Sequence, residues 1–515
     1  MPFRQVTDPS PYLEAPRHGS IDNLVLGKLQ ELGLLPPAAA GDSHFVRRAY
    51  LDAIGLLPSV KETKSFTADT SPDKREKLID SLLARSDFVD FWAYKWSDLL
   101  LVSSSRLSPP ATRAFYNWIR GAVAENRPWD QLVRQLVTAL GSNLENGAAN
   151  YYVLHDEATK VAENVTLTFM GLAIACARCH DHPLDRWTQD DYYSLSNYFS
   201  RVGRKSGDAG QTILFRASTG DVTHPRLGAP LPPRPLGARM AASASGRDRR
   251  QGFAEWLTSG ENPYFARSMV NRIWYHFMGR GLVDPVDDLR DTNPASNEAL
   301  LKMLAADFVR AHFDVKELIR IIMNSAAYQS SSRGRQEDLP DKKYYSRFVL
   351  RRLPAEVILD IISQVTGTST EFPGYPPNTR SLQLPDSQVR SYFLSVFGRP
   401  KRTINSDAER VKDVTVSQAL HLINSEALHR KLRNPKGALA RLLKRGLPDR
   451  KIVSEIFWMA LSRGPEDEEL DRILTAITRA QEGVRVHPDS TRLRREILED
   501  FFTGVLMSKE FLFNH

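Results

Sequence analysis

A chain of 515 residues, 42% hydrophobic and 25% charged, can bury its own core and lies outside the compositions of disordered proteins. Its formal charge of +8 comes from 69 basic and 61 acidic residues with no long basic run, so nothing marks a nucleic-acid partner. Two cysteines exclude a disulfide-built scaffold, and the longest apolar run near them, LTFMGLAIAC, is about half the roughly 20 residues of a membrane helix.

In chain order, SIDNLVLGKLQELGLL places Ile21, Leu24, Val25, Leu29 and Leu32 at helical spacing, and SPDKREKLIDSLLARS follows with Ser71 as N-cap and Pro72 in the first turn. ATRAFYNWIRGAVAEN, RPWDQLVRQLVTAL and TKVAENVTLTFMGLAIACARC continue as helices. Pro183 disfavours helix at His182, and Thr188 starts a new one with Asp191 in the acidic third position. From Gly203 to Arg250 the chain is rich in Gly, Pro and Ser, and QTILFRASTGDVTH reads as strand–turn–strand. Helices resume through PAEVILDIISQVTG, a second irregular stretch runs from Gly367 to Lys412, and short helices close the chain. The expectation is a mainly α, two-part protein with a small β-containing excursion: an extension over 1–19, a helical domain over 20–202, a linker over 203–250 and a second helical domain over 251–515.

Both cysteines lie in CARCHDHP, as Cys176-x-x-Cys179-His180. On a helix these positions stand at i, i+3 and i+4 and share one face, which suits c-type haem: two thioether bonds and a proximal imidazole. His182 and Asp185 follow in the corner, where they add ligands or orient His180. Zinc or another transition metal on Cys176, Cys179, His180, His182 and Asp185 is the chemical rival, although no second cysteine pair exists to complete a zinc ribbon. A cysteine pair that merely closes a turn is the third reading.

A haem would need a sixth iron position. In NRIWYHFMGRGLV, His276 follows Arg272 by four residues, so His276 is the distal candidate and Arg272 a partner for a propionate. A lone histidine between Trp274 and Phe277 is more often a packed one. His155, His182, His421, Met170 and Met278 rank below it. The acidic run Asp284, Asp287, Asp288 and Asp291 lacks the alternation of a calcium loop, and Arg351 with Arg352 either grips an anion or caps a helix. G-x-S-x-G, H-E-x-x-H and the phosphate-loop pattern are absent.

The run FMGLAIACARCHDHPLDRWTQDDYYSLSNYF resembles the planctomycete-type cytochrome-associated proteins, in which two domains of unknown function adjoin. FVRRAYLDAIGLLPSVKET is similar to the first domain; MVNRIWYHFMGRGLVDPVDDLRDTNPASNEALL and LRRLPAEVILDIISQVTG are similar to the second. The resemblance implies an exported, periplasmic protein whose signal peptide is absent from this chain, associated with c-type cytochromes and with sulfatase-like genes. The resemblance fixes no reaction; redox work through haem c, with a partner cytochrome, is the expectation from the motif, and a link to sulfated glycans is the one from the family's gene neighbours. A metal-dependent hydrolase or lyase, or a glycan-binding scaffold, are the other readings. The family's Cys-x-Cys before Glu409-Arg410 is replaced here by Ser406 and Ala408.

Overall fold

The computed structural model describes residues 8–237, 248–333, 341–405, 409–410, 415–483 and 490–515. The protein is mainly α-helical, with a few short strands. Local chemistry sets several helix starts. Ser59 and Glu62 form a reciprocal capping box on Val60–Ala68, and Ser108 caps Pro109–Ala124 with proline in the first turn. Ser71 does not cap: its carbonyl accepts the N–H of Lys74 in a turn, and the helix runs over Lys74–Leu83 with Asp73 before it.

The β excursion differs from its expected form. Thr212–Arg216 is a strand, but its antiparallel partner is Val202–Ser206 before it, with Arg204 opposite Leu214. The connecting residues include Gly210 at φ 75°, a left-handed position that lets the chain turn back there. Gly141–Ser142 pairs with the other edge of Thr212–Arg216.

An aromatic column runs through the core. Phe169 packs on Trp129, Trp129 on Trp96, Trp96 on Trp92 and Trp92 on Phe277, with ring centroids 5.1–6.2 Å apart. Phe277 lies on the helix Phe265–Met278 and the other rings lie in the first half, so the column joins the halves through apolar burial.

A polar node joins them as well. On the helix Asp42–Ile54, Arg47 and Arg48 are buried and donate to carbonyls far along the chain. Arg47 bonds Ala460 O at 2.7 Å and Phe511 O at 2.9 Å, while Arg48 bonds Ser330 O at 2.8 Å and His515 O at 3.2 Å. One turn on, Asp52 accepts from Arg351, from Asn514 at 2.7 Å and from the Tyr328 hydroxyl at 3.1 Å. Arg351–Arg352 pairs as a short strand with Phe513–Asn514. Arg351 therefore holds a carboxylate of the protein itself, and Arg352 donates to Phe397 O at 3.1 Å.

Candidate functional site

The helix leading to the motif is Ala158–Met170, and it stops six residues before the first cysteine. Gly171 at φ 65° ends it in a left-handed C-cap, a conformation that a Cβ disfavours. The expected helix through Cys179 is thereby corrected. Leu172 and Ile174 are buried while Ala173 between them is exposed, so the apolar run continues without the helix. Leu289 of the second half fixes this exit by donating its N–H to Gly171 O at 2.8 Å.

Ala175–Arg178 then forms one 3-10 turn, with Cys179 directly after it donating to Cys176 O at 3.5 Å. With three residues per turn, positions 176 and 179 project to the same side, so the shared face survives on a different helix type. Both thiols are free and exposed. Ala177 between them is buried and anchors the turn.

The imidazoles take opposite roles. His180 Nδ1 lies 2.8 Å from the carbonyl oxygen of Asp181, which only accepts, so Nδ1 is the donor there and the neutral tautomer leaves the lone pair on Nε2 of an exposed side chain. His182 Nδ1 instead accepts the N–H of Leu184 at 3.2 Å, which puts the proton on Nε2. Asp185 turns one oxygen to the N–H of Arg186 at 2.8 Å. His182 and Asp185 thus shape the turn. Among the described residues no three His, Cys, Asp or Glu side chains gather as a metal-binding set, and the five-residue zinc arrangement is not assembled.

Three side chains outside the expected site hold this corner. Asp181 accepts the N–H of Gln189 at 2.9 Å, while the Gln189 amide and the Tyr193 hydroxyl donate to Arg178 O at 3.0 and 3.3 Å. Thr188 and Asp191 form the expected capping box on Gln189–Ser196. Arg186 lies over the Trp187 ring and donates to the Tyr264 hydroxyl at 2.6 Å, and an ion pair of 3.6 Å links it to Asp291. The signal for these supports is the polar density of DHPLDRWTQDDYY itself, although their pairing depends on the loop's path. Beside the corner a cavity of 470 Å³ is lined by Arg178, Tyr193, Arg204, Asp156 and Thr159.

His276 belongs to another environment. Its Nε2 donates to Asp52 O at 2.8 Å, and Phe91, Trp92 and Phe277 surround the ring. Burial, with Lys95 and Arg351 nearby, holds the imidazole neutral, far below its usual titration range. None of these neighbours is among those that hold the cysteine corner. The distal-ligand expectation gives way to a packed histidine that joins the halves. Arg272 lines a cavity of 140 Å³ with His276, Lys95, Tyr275, Glu409 and Arg410, a space too small for a porphyrin. Ser406 and Ala408, the positions of the family's Cys-x-Cys, lie outside the described residues. Glu409 accepts the N–H groups of Arg402 and Thr403, and Arg410 pairs with Asp98 and Glu356 at 2.7 Å.

The remaining candidates are structural too. His155 meets Tyr151 edge to face, and burial pushes its imidazole down to about 3. His421 sits among Tyr392, Phe393 and Phe397; Met170 and Met278 are core. In the acidic run, Asp284 pairs with Arg280, Asp288 with Arg290 and Asp291 with Arg186.

Comparison with known families divides the chain in two. Residues 20–204 match PSCyt2, described as a protein of unknown function (DUF1549), and residues 249–477 match PSD1, described as a protein of unknown function (DUF1553). No curated protein and no solved structure matches. No helix among the described residues is long and apolar enough to cross a membrane.

Proposed function

Taking the chain as one that joins a PSCyt2 domain to a PSD1 domain, we propose that it is a c-type haem protein acting in redox chemistry, with the porphyrin held at Cys176, Cys179 and His180. The observation that carries this reading is the donor set. Two free thiols lie at one exposed turn, and beside them stands an exposed imidazole whose Nδ1 is held by Asp181 O, which leaves Nε2 as the nitrogen for a ligand bond.

That pattern fits the chemistry of haem attachment. Thiols must be accessible to add to the vinyl groups, and a neutral imidazole must present one nitrogen while its other N–H is held by a carbonyl. When bound, the haem supplies a one-electron couple. The chain's own part is to orient and to fix. Asp181 sets the His180 tautomer through its carbonyl and ties the loop to Gln189 through its carboxylate. Arg178 within the motif and Arg186 six residues after His180 bring positive charge to it, where propionates or an acidic redox partner would meet them. Covalent haem attachment takes place outside the cytoplasm, so the reading carries an exported protein with it.

The test is a pyridine haemochrome spectrum of protein produced by export in a host with a haem-attachment system. The expected outcome is a covalent haem band in denatured, solvent-extracted protein, lost in Cys176→Ala/Cys179→Ala. Absence of that band, in folded protein from a host that matures a control cytochrome, overturns the reading.

A further inference from the structure

A second site lies in the PSD1 half. The helix Ala355–Thr366, the short helix Tyr392–Val396 and the helix Glu426–Arg433 enclose a cavity of 330 Å³. Leu359, Ile362, Phe393 and Leu428 give it apolar walls, and Tyr392 and His421 add two more flat rings. Its volume is at the small end for ligand pockets and suits a single ring or a short branched body.

Lys431 lines this cavity with only 9% of its surface exposed. Lysine is seldom buried without a carboxylate partner, because an ammonium taken from water needs compensating charge. Here the amine donates to two neutral acceptors, Thr368 O at 2.7 Å and Ser363 Oγ at 3.2 Å. Among the described residues no carboxylate stands within ion-pair distance of it. The nearby acid is Asp360, whose oxygens already accept from Ser381 N at 2.8 Å and Leu382 N at 3.1 Å. Ser425, the helix cap at the rim, accepts from Leu428 N at 3.3 Å, which leaves its hydroxyl proton to donate.

We propose that Lys431 is a nucleophilic amine that captures an aldehyde with a flat apolar body as an imine in this cavity. The Nζ lone pair adds to the carbonyl carbon as the C–O π bond opens, and the oxygen takes a proton to give a carbinolamine. Loss of water then forms the C=N bond, so that amine and aldehyde yield imine and water with no oxidant or reductant. The Ser425 hydroxyl stands at the cavity wall to polarise the carbonyl oxygen.

Burial pushes the Lys431 amine down to about 8, against a pull upward from Asp360, which burial itself raises to about 6. At pH 7 such an amine is about one-tenth neutral, against under about a thousandth for an exposed lysine. His421, Tyr392 and Glu426 are the other titratable groups at the cavity.

The proposal is independent of the haem reading. It is tested on the full chain with benzaldehyde as probe and cyanoborohydride to trap the imine as a secondary amine, followed by peptide mapping. The expected result is benzylation of Lys431 at least tenfold faster than any other lysine, with a rate half-maximal near pH 8. Lys431→Arg keeps the charge, removes the reactive amine and is expected to lose the selective adduct. Labelling spread evenly over lysines, sparing of Lys431, a rate that rises only above pH 10, or an undiminished fast adduct in Lys431→Arg each overturn it.

Discussion

Arg351 of the second half sets its guanidinium against Asp52 of the first, Nη2 to Oδ1 at 2.5 Å, with only 4% of the aspartate side chain exposed. The same aspartate receives Asn514 and Tyr328, and its backbone carbonyl receives His276. Removing it strands Arg351 and the neighbouring Arg48 in low dielectric. Asp52→Ala is therefore expected to destabilise the protein by about 3–5 kcal/mol, read as a fall in denaturation midpoint. An unchanged midpoint would mean that the node contributes no net stability.

Gly171 sets where the cysteine segment leaves its helix. A Cβ built there would lie 2.3 Å from Leu289 Cδ1, and the φ of 65° adds strain. Gly171→Ala should cost about 2 kcal/mol or more and lower haem incorporation under the proposed reading. Leu289→Ala removes the clashing atoms, so the double variant should recover part of the loss. Strictly additive losses in thermal denaturation would show that the two sites do not couple.

Asp221 bridges the two halves through Arg201 and Arg249, at 2.9 and 2.6 Å. The hydrogen bond from Arg201, opposed by partial burial and aided by Arg249, lowers its carboxyl to about 2. A depressed acid stabilises the fold above its unfolded value and loses that contribution as the pH falls towards its folded value. Asp221→Asn should thus be less stable than the parent at pH 7, by on the order of 1 kcal/mol after solvent screening, and should match it near pH 2. Melting curves at pH 7, 4 and 2 read the convergence.

His276 separates structure from ligation. His276→Gln keeps an N–H near Asp52 O but leaves part of the aromatic cage empty, so a loss of about 1–2 kcal/mol is expected. Haem content and absorption maxima should stay at parent values. A shifted spectrum would restore the histidine as an iron ligand.

The sequence announced its helices by periodicity and its Thr188–Asp191 cap by local chemistry, because both are contained within a few residues. It misdirected at LTFMGLAIAC, where apolar residues continue past the point at which Gly171 ends the helix. A buried non-helical segment and a buried helix look alike over so short a run. Glycine after a long helical pattern was the available signal. Arg47 and Arg48 were unreadable as buried groups because their acceptors lie 280–467 residues away. The tautomers of His180 and His182 were equally hidden, since each depends on the path of a five-residue loop rather than on its composition.

The reach of Arg47 and Arg48 has a practical side for anyone who dissects the chain. A fragment cut to residues 20–204 would keep both guanidinium groups and Asp52 while discarding Ala460, Phe511, Asn514 and His515. During synthesis the nascent first half meets the same deficit, since its helix Asp42–Ile54 must wait for the final residues to emerge before its cations find their acceptors. Separately expressed halves should accordingly aggregate, and should regain solubility when produced together.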